Sequence, residues 1–419
     1  HVLPTASAER FLIKASYRTG RRTVPVLRVG ERRINGTKTD TDGQFWAFDV
    51  RGLKPETAYR LVLDGDPEPW TLKTLPAPGA TVERFRVLVY TCAGGHEAMP
   101  DWEQPRGYFV PTRLRRKMFE NALALEPDAA IAIGDHVYWD LRFGRASGRL
   151  PMGQQPWARA LMGGSDFDRG LAVLGTPNER RLKGAVDGQI AELYGTLFRS
   201  TPVHFIQDDH DYFENDEAHP VQGVSFPPDD FMTRLARATQ RLYFPEHLVS
   251  GPDLPGGNEC FGTLRVGNLV ELLLLDCRRF DTLQGPLAVL VPQSVESWMA
   301  ERWKSSPARH VVNVPSMPLG WSAGKWGEWY PDVADASGKL TLEKPKPYWQ
   351  TGWLKQHDRL LSAASAMKGR IPLVLSGDLH ATAEGRIRKS GAASFEANPV
   401  HVVLSGTLGT GDGGWPSAF

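Results

Sequence analysis

Seven short apolar runs in this chain each end in a small group of polar or metal-binding side chains. Phe85–Tyr90 leads into Cys92, and Ala129–Ile133 into Asp135, His136 and Tyr138. Val203–Ile206 leads into Asp208, Asp209, His210 and Asp211, and Val270–Leu275 into Asp276 and Cys277. Val311–Val314 reaches Ser316, Leu373–Leu375 reaches Asp378 and His380, and Val402–Leu404 reaches Ser405. Runs of this length, rich in leucine and β-branched residues, predict buried strands. Ligands in α/β sheets lie beyond the carboxyl ends of strands, so the pattern predicts one rim shared by carboxylates, a thiol, a phenol and imidazoles. A metal site is assembled in this way.

Between the runs the period changes. Thr112–Leu125 places Leu114, Met118, Ala122 and Leu125 at helical spacing and stops before Pro127. Ile190–Phe198, Val295–Trp303 and Trp353–Met367 are helical patterns that each precede a strand. Strands alternating with helices predict a layered α/β body from about residue 81 onward. The stretches 140–190, 212–232 and 318–350 are rich in Gly, Pro and aromatics without a period, and read as long functional loops. Trp321, Trp326, Trp329, Tyr330, Trp349 and Trp353 crowd the last of these, as an aromatic wall for substrate or as simple packing.

Residues 9–75 differ. Phe11–Tyr17, Val24–Val29, Trp46–Val50, Tyr59–Leu63 and Trp70–Leu75 are short strand-like runs between turn-rich stretches, the pattern of a small β-sandwich. Pro76-Ala77-Pro78-Gly79-Ala80 reads as a linker. The division expected is therefore 1–80 and 81–419.

Composition narrows the function. At 419 residues, 41% hydrophobic and 23% charged, the chain is an ordinary globular sequence. Its 49 basic and 48 acidic residues leave no overall field for nucleic acid or anionic membrane. No apolar stretch approaches the ~18 residues of a membrane span. The start on His1 rather than Met reads as a processed or trimmed chain lacking any export signal. At the other end, Gly411–Gly414 before Trp415-Pro416 reads as a loop rather than a natural terminus. Three cysteines leave at least one unpaired. A two-residue turn at Gly267-Asn268 would put Cys260 opposite Leu275, which disfavours a Cys260–Cys277 disulfide.

Three motifs carry the chemistry. Gly134-Asp135-His136-Val137-Tyr138 presents a carboxylate able to bridge two cations and a phenol three residues on. Asp208-Asp209-His210-Asp211 sets four titratable groups in succession, which repel one another unless cations neutralise them. Ser376-Gly377-Asp378-Leu379-His380 offers two ligands on one side of an extended segment. Each also has a plainer reading as a capped loop or a charged turn.

Taken together and in this order, these blocks resemble the calcineurin-like metallophosphoesterases, and within them the alkaline phosphatase D (PhoD-like) family. Thr91-Cys92, Leu275-Asp276-Cys277-Arg278 and Trp349 to Trp353 extend the resemblance over nearly the whole chain. Gly52-Leu53-Lys54-Pro55-Glu56-Thr57-Ala58-Tyr59 resembles the corner of fibronectin type III domains. The implied fold is a two-sheet metallophosphoesterase sandwich flanked by helices, preceded by a fibronectin-III/Ig-like β-sandwich. Residue by residue, the resemblance implies a ferric ion (Fe3+) on Cys92, Asp135, Tyr138 and His380. It also implies one or two calcium ions (Ca2+) facing Asp135, Asp209 and Asp378. The donor chemistry agrees, since thiolate and phenolate suit Fe3+ and carboxylates suit Ca2+.

His210 is assigned to proton transfer, with its side chain turned away from the ligands toward the leaving group; a structural histidine is the alternative. Arg278 is a candidate phosphate contact, or the partner of a neighbouring carboxylate. The implied reaction is metal-dependent hydrolysis of a small-molecule phosphomonoester or phosphodiester by a metal-bound hydroxide, in a periplasmic or secreted enzyme. The competing reading is an extracellular binding protein with structural metal sites, which would need neither thiol nor phenol.

Overall fold

The computed structural model describes residues 1–95, 109–138, 167–212, 230–246, 261–282, 285–317 and 351–409. The N-terminal strands form two four-stranded antiparallel sheets. One orders Val2–Ala6, Arg10–Ser16, Phe45–Arg51 and Thr37–Lys38; the other orders Arg32–Asn35, Val26–Val29, Ala58–Leu63 and Asp66–Lys73. Alternation builds the core between them: Phe11, Ile13 and Ala15 meet Leu27, Val29, Leu61 and Leu63. Tyr59 makes the expected corner, its hydroxyl accepting the Lys54 N–H at 2.7 Å. The Val2–Ala6 strand is buried on both faces, because Val2 and Ala6 pack in the sandwich while Leu3 packs into the core of the following body.

That body is a sandwich of two further sheets. A three-stranded parallel sheet orders Val203–Ile206, Ala129–Ile133 and Val87–Thr91. A mixed six-stranded sheet orders Phe261–Val266, Val270–Leu275, His310–Pro315, Leu373–Ser376, Val400–Leu404 and Ala383–Ile387. Ile131, Ile133 and Ile206 of the first face Leu272, Leu274, Val312 and Val314 of the second. Near-continuous apolar runs are what strands covered on both faces require. The outer faces are closed by Pro177–Val186 and Asp230–Tyr243 on one side and by Gln293–Ser305 and Thr351–Ser365 on the other. Thr91 and Thr407 join the sheets by a parallel bridge at the carboxyl ends. No helix among the described residues is long and apolar enough to cross a membrane.

Four local expectations change. Thr112–Leu123 is helical, but it buries Arg115 and Phe119 and leaves Leu114, Met118 and Leu125 exposed. Arg115 donates to the Ala93 and Gly95 carbonyls at 2.8 and 3.0 Å, so polar loop satisfaction outweighs the apolar stripe. Pro177–Val186 is a capped helix inside a stretch read as loop, with Thr176 accepting from Asn178. The 190–198 pattern yields only Ala191–Tyr194, ended by Gly195 at φ +50.

The hairpin turn holds three residues, since Val266 pairs with Val270, and Leu275 faces Phe261 rather than Cys260. Cys277 is a free, buried thiol; Cys260 lies outside the described residues. So do Trp321, Trp326, Trp329, Tyr330, Trp349 and 410–419. Trp353 is buried and donates from Nε1 to the Val289 carbonyl, so it packs rather than lining a wall.

Candidate metal centre

Three strands end in residues with left-handed backbone: Cys92 at φ +52, Asp135 at φ +56 and Asp378 at φ +64. Such conformations cost on the order of 1–3 kcal/mol each for non-glycine residues and persist where the surroundings fix them. Here they turn the three side chains onto one point. Cys92 Sγ lies 3.1 Å from Asp135 Oδ2, and the Tyr138 hydroxyl lies 3.3 Å from the same oxygen. Cys92, Asp135 and His380 offer ligand atoms within 4.8 Å of one another. So do Asp135, Asp209 and His210, and so do Asp208, Asp209 and Asp378. Five of the six residues expected as ligands therefore share one chain of overlapping groups, with Asp135 and Asp209 as the links, and Tyr138 joins through its contact with Asp135.

The backbone around them is built for close approach. At Gly134, φ +65, an added Cβ would stand 2.2 Å from the Asp208 Cβ, so the two ligand turns touch only because residue 134 is glycine. At Gly377 a Cβ would meet Thr91 Oγ1 at 2.3 Å. Thr91 in turn donates to the Ile133 carbonyl and accepts the Asp378 N–H, joining three strand ends. Gln189 Oε1 accepts the Gly95 and Tyr138 N–H groups, each at 2.9 Å. Asp211 accepts the backbone N–H of Asp135, His136, Val137 and Asp208 at 2.9 to 3.0 Å. Gln189 carries no signature in the sequence and only its contacts reveal it; Thr91 and Asp211 lie inside the motifs, and their contacts make them framework rather than ligands.

His210 sits on the Asp209–Tyr212 turn with its ring 4.3 Å from that of Tyr138. It stands with the ligand set rather than turned away from it, because a 3-10 turn sets successive side chains about 120° apart instead of on opposite faces as in an extended segment. Arg278 is fully buried and donates from Nε to Asp208 Oδ1 at 2.9 Å. His136 points to the far side, bonded to the Ile206 carbonyl between Phe205 and Phe244. Burial draws its pKa down to about 4, so it is a neutral support. Ser316 accepts the Cys277 N–H, and no base stands against it among the contacts described.

The donor set fits cations. Asp135 Oδ1 and Asp208 Oδ2 are buried without a hydrogen-bond partner, which carboxylates tolerate when a cation satisfies them. Burial and the Asp135 carboxylate push the Cys92 thiol well up, and burial and Asp209 do the same to Asp135. Burial also raises Asp208, although Arg278 pulls against it. A cation at this place favours every one of the ionised forms.

A two-sheet α/β sandwich carrying such a cluster at its strand ends is the architecture of a metallophosphoesterase. The profile of the PhoD-like phosphatases matches residues 98–411, and the chain belongs to that family. Membership places it among metal-dependent hydrolases of phosphate esters. Its fold is similar to that of PhoD, with a TM-score of 0.65 at 15% identity over 97% of this chain and 76% of that one. It is also similar to the purple acid phosphatase PPD1 from yellow lupin (Lupinus luteus) seeds, with a TM-score of 0.56 at 11% identity, covering 98% and 64%. No curated protein matches the sequence.

Proposed function

We propose that the chain is an exported phosphomonoesterase or phosphodiesterase, with residues 81–419 catalytic and 1–80 an accessory sandwich. Cys92, Asp135, Tyr138 and His380 would hold Fe3+, and Asp135, Asp209 and Asp378 would face one or two Ca2+. The observation that carries this reading is the thiol and the phenol within 3.3 Å of one carboxylate oxygen. A thiolate and a phenolate, which bind as anions, beside carboxylate and imidazole offset the charge of a trivalent ion, whereas the all-carboxylate group Asp208, Asp209 and Asp378 suits a hard divalent one. When bound, such ions lower the pKa of water and offset charge on the phosphoryl oxygens.

The protein's own residues then have separate tasks. His210, nearly buried on its turn, holds a proton at a ring nitrogen for the departing oxygen as water attacks phosphorus in line. Arg278 acts through Asp208, holding that carboxylate in the cluster from its Nε. No serine nucleophile is needed. A purely structural metal site would not call for Cys92 and Tyr138, which argues against a binding protein. Release of phosphate from an aryl phosphate at alkaline pH tests the proposal. Asp135→Ala and exhaustive chelation should each abolish it, and turnover that outlasts complete metal removal would sink the reading.

A further inference from the structure

The two sheets of the N-terminal sandwich have different neighbours. The first is fastened to the catalytic body: Val2–Ala6 lies against Val203–Ile206, and Asp230–Tyr243 packs on Arg10–Ser16 and Phe45–Arg51. Lys14, buried on that side, donates to the Arg241 carbonyl. The second sheet turns Leu27, Val29, Leu61, Leu63 and Leu72 into the core, so the alternate positions face outward. Arg28, Arg33, Arg60 and Lys73 occupy that outward face and are exposed.

Register sets their geometry. Arg33 stands directly opposite Arg28, and Arg28 opposite Val62, which makes Arg60 its diagonal neighbour. Arg60 faces Thr71, and Lys73 is the next outward residue on that strand. Opposite residues stand about 5 Å apart and diagonal ones about 7–8 Å. The four cations thus form one diagonal stripe across all four strands, on the order of 20 Å long. The acidic residues of these strands, Asp66 and Glu68, lie beyond a register shift and pair with Arg199 of the catalytic body at 3.2 and 3.3 Å, away from the stripe's partners in register. Arg28, Arg33 and Arg60 form no ion pair among the described residues, and Lys73 has only exposed Glu56 at 3.7 Å. Like charges directly opposite in a sheet oppose folding, so the arrangement costs stability unless an anion answers it.

The whole-chain charge balance conceals this. Residues 1–80 hold thirteen Lys and Arg against nine Asp and Glu, while the full chain is nearly neutral. Exposed side chains in a row on a sheet do not enclose a small anion. A linear row of mostly arginine, whose planar fork matches phosphate oxygens, suits an extended chain of phosphate groups. We propose that this face binds a linear phosphate polyanion, held by the sandwich at a fixed place beside the catalytic body.

Long-chain inorganic polyphosphate, titrated calorimetrically into the full-length protein, is the probe. The wild type should bind with an affinity that falls steeply with salt, and Arg28→Glu/Arg60→Glu should weaken it by at least about tenfold. Reversal of two exposed lysines elsewhere, Lys304→Glu/Lys368→Glu, should leave binding intact. Both double variants should fold, by circular dichroism, and keep wild-type turnover of an aryl phosphate. Equal binding by wild type and Arg28→Glu/Arg60→Glu would overturn the proposal, as would equal losses in the two variants. Attachment to anionic lipid vesicles without binding to polyphosphate would overturn it too. Absence of aryl phosphate turnover in every protein would count against the hydrolase reading alone.

Discussion

Asp211 Oδ2 lies 2.9 Å from the Asp135 amide nitrogen and equally close to that of Asp208. One buried carboxylate therefore fastens the turn after Ala129–Ile133 to the turn after Val203–Ile206. Its other oxygen takes the N–H groups of His136 and Val137. Asp211 is the frame on which two metal-ligand turns are hung, though it offers no ligand itself.

Asp211→Asn keeps the shape and exchanges an acceptor oxygen for an amide that can only donate. At least one pair of backbone N–H groups then faces a donor, a loss of about 1–3 kcal/mol for each buried group left unsatisfied. Thermal unfolding should move to lower temperature, and metal content and phosphatase turnover should both fall by more than tenfold. Wild-type metal content in a destabilised Asp211→Asn would separate folding from site assembly and sink this account.

Arg278 tests a distinction of roles. Its partner Asp208 is as deeply buried as the guanidinium itself. Removing one member of a buried pair strands the other charge and costs about 3–5 kcal/mol. Arg278→Met should therefore reduce stability and turnover while leaving KM for the aryl phosphate within about twofold, because the lost contact is not to substrate. A stable Arg278→Met with a KM raised tenfold would show a phosphate clamp instead.

Much of this site is legible in the sequence, and the reason is local. A strand followed at once by Gly-Asp-x-x-Tyr or Asp-Asp-His-Asp places its polar residues at the strand end whatever the rest of the chain does. That is why the sequence brings Cys92, Asp135, Asp209, Asp378 and His380 to one rim, with Tyr138 beside Asp135, whatever cation they hold. Hydrogen bonds between distant segments leave no such trace. Gln189 reaches Gly95 and Tyr138 from 94 and 51 residues away, and nothing in its neighbours marks it. The helix at Thr112–Leu123 misled for a related reason, since the carbonyls that claim Arg115 belong to another loop. The turn of the 3-10 segment likewise decided where His210 points.

Metal loading should leave a spectroscopic and a thermodynamic mark. A phenolate on Fe3+ gives a visible charge-transfer band, so the loaded protein should be coloured and Tyr138→Phe should lose the band while keeping its fold. Ligands that bind only the native state stabilise it, by about 2.7 kcal/mol at a hundredfold excess over Kd. Chelation should then lower the unfolding temperature together with activity, and Asp209→Asn should blunt both responses. A colourless, iron-free and fully active preparation would leave hydrolysis standing and overturn the iron assignment.

The last prediction concerns how the sandwich is held. Lys183 Nζ lies 2.8 Å from Asp40, 3.2 Å from Asp42 and 2.8 Å from Glu179, so an ammonium fills a nest of three carboxylates between the two bodies. Burial alone would raise the Glu179 pKa. Lys183 and the N–H groups of Gly175 and Thr41 more than reverse that and draw it down to about 2. A depressed carboxyl contributes stability that is complete above its unfolded pKa, near 4.5, and lost as pH falls through the folded value. Unfolding temperature should accordingly drop between pH 5 and about pH 2, and Glu179→Gln should flatten that limb at a cost of roughly 2 kcal/mol at pH 7. An acid limb unchanged in Glu179→Gln would show that other carboxyls govern the transition.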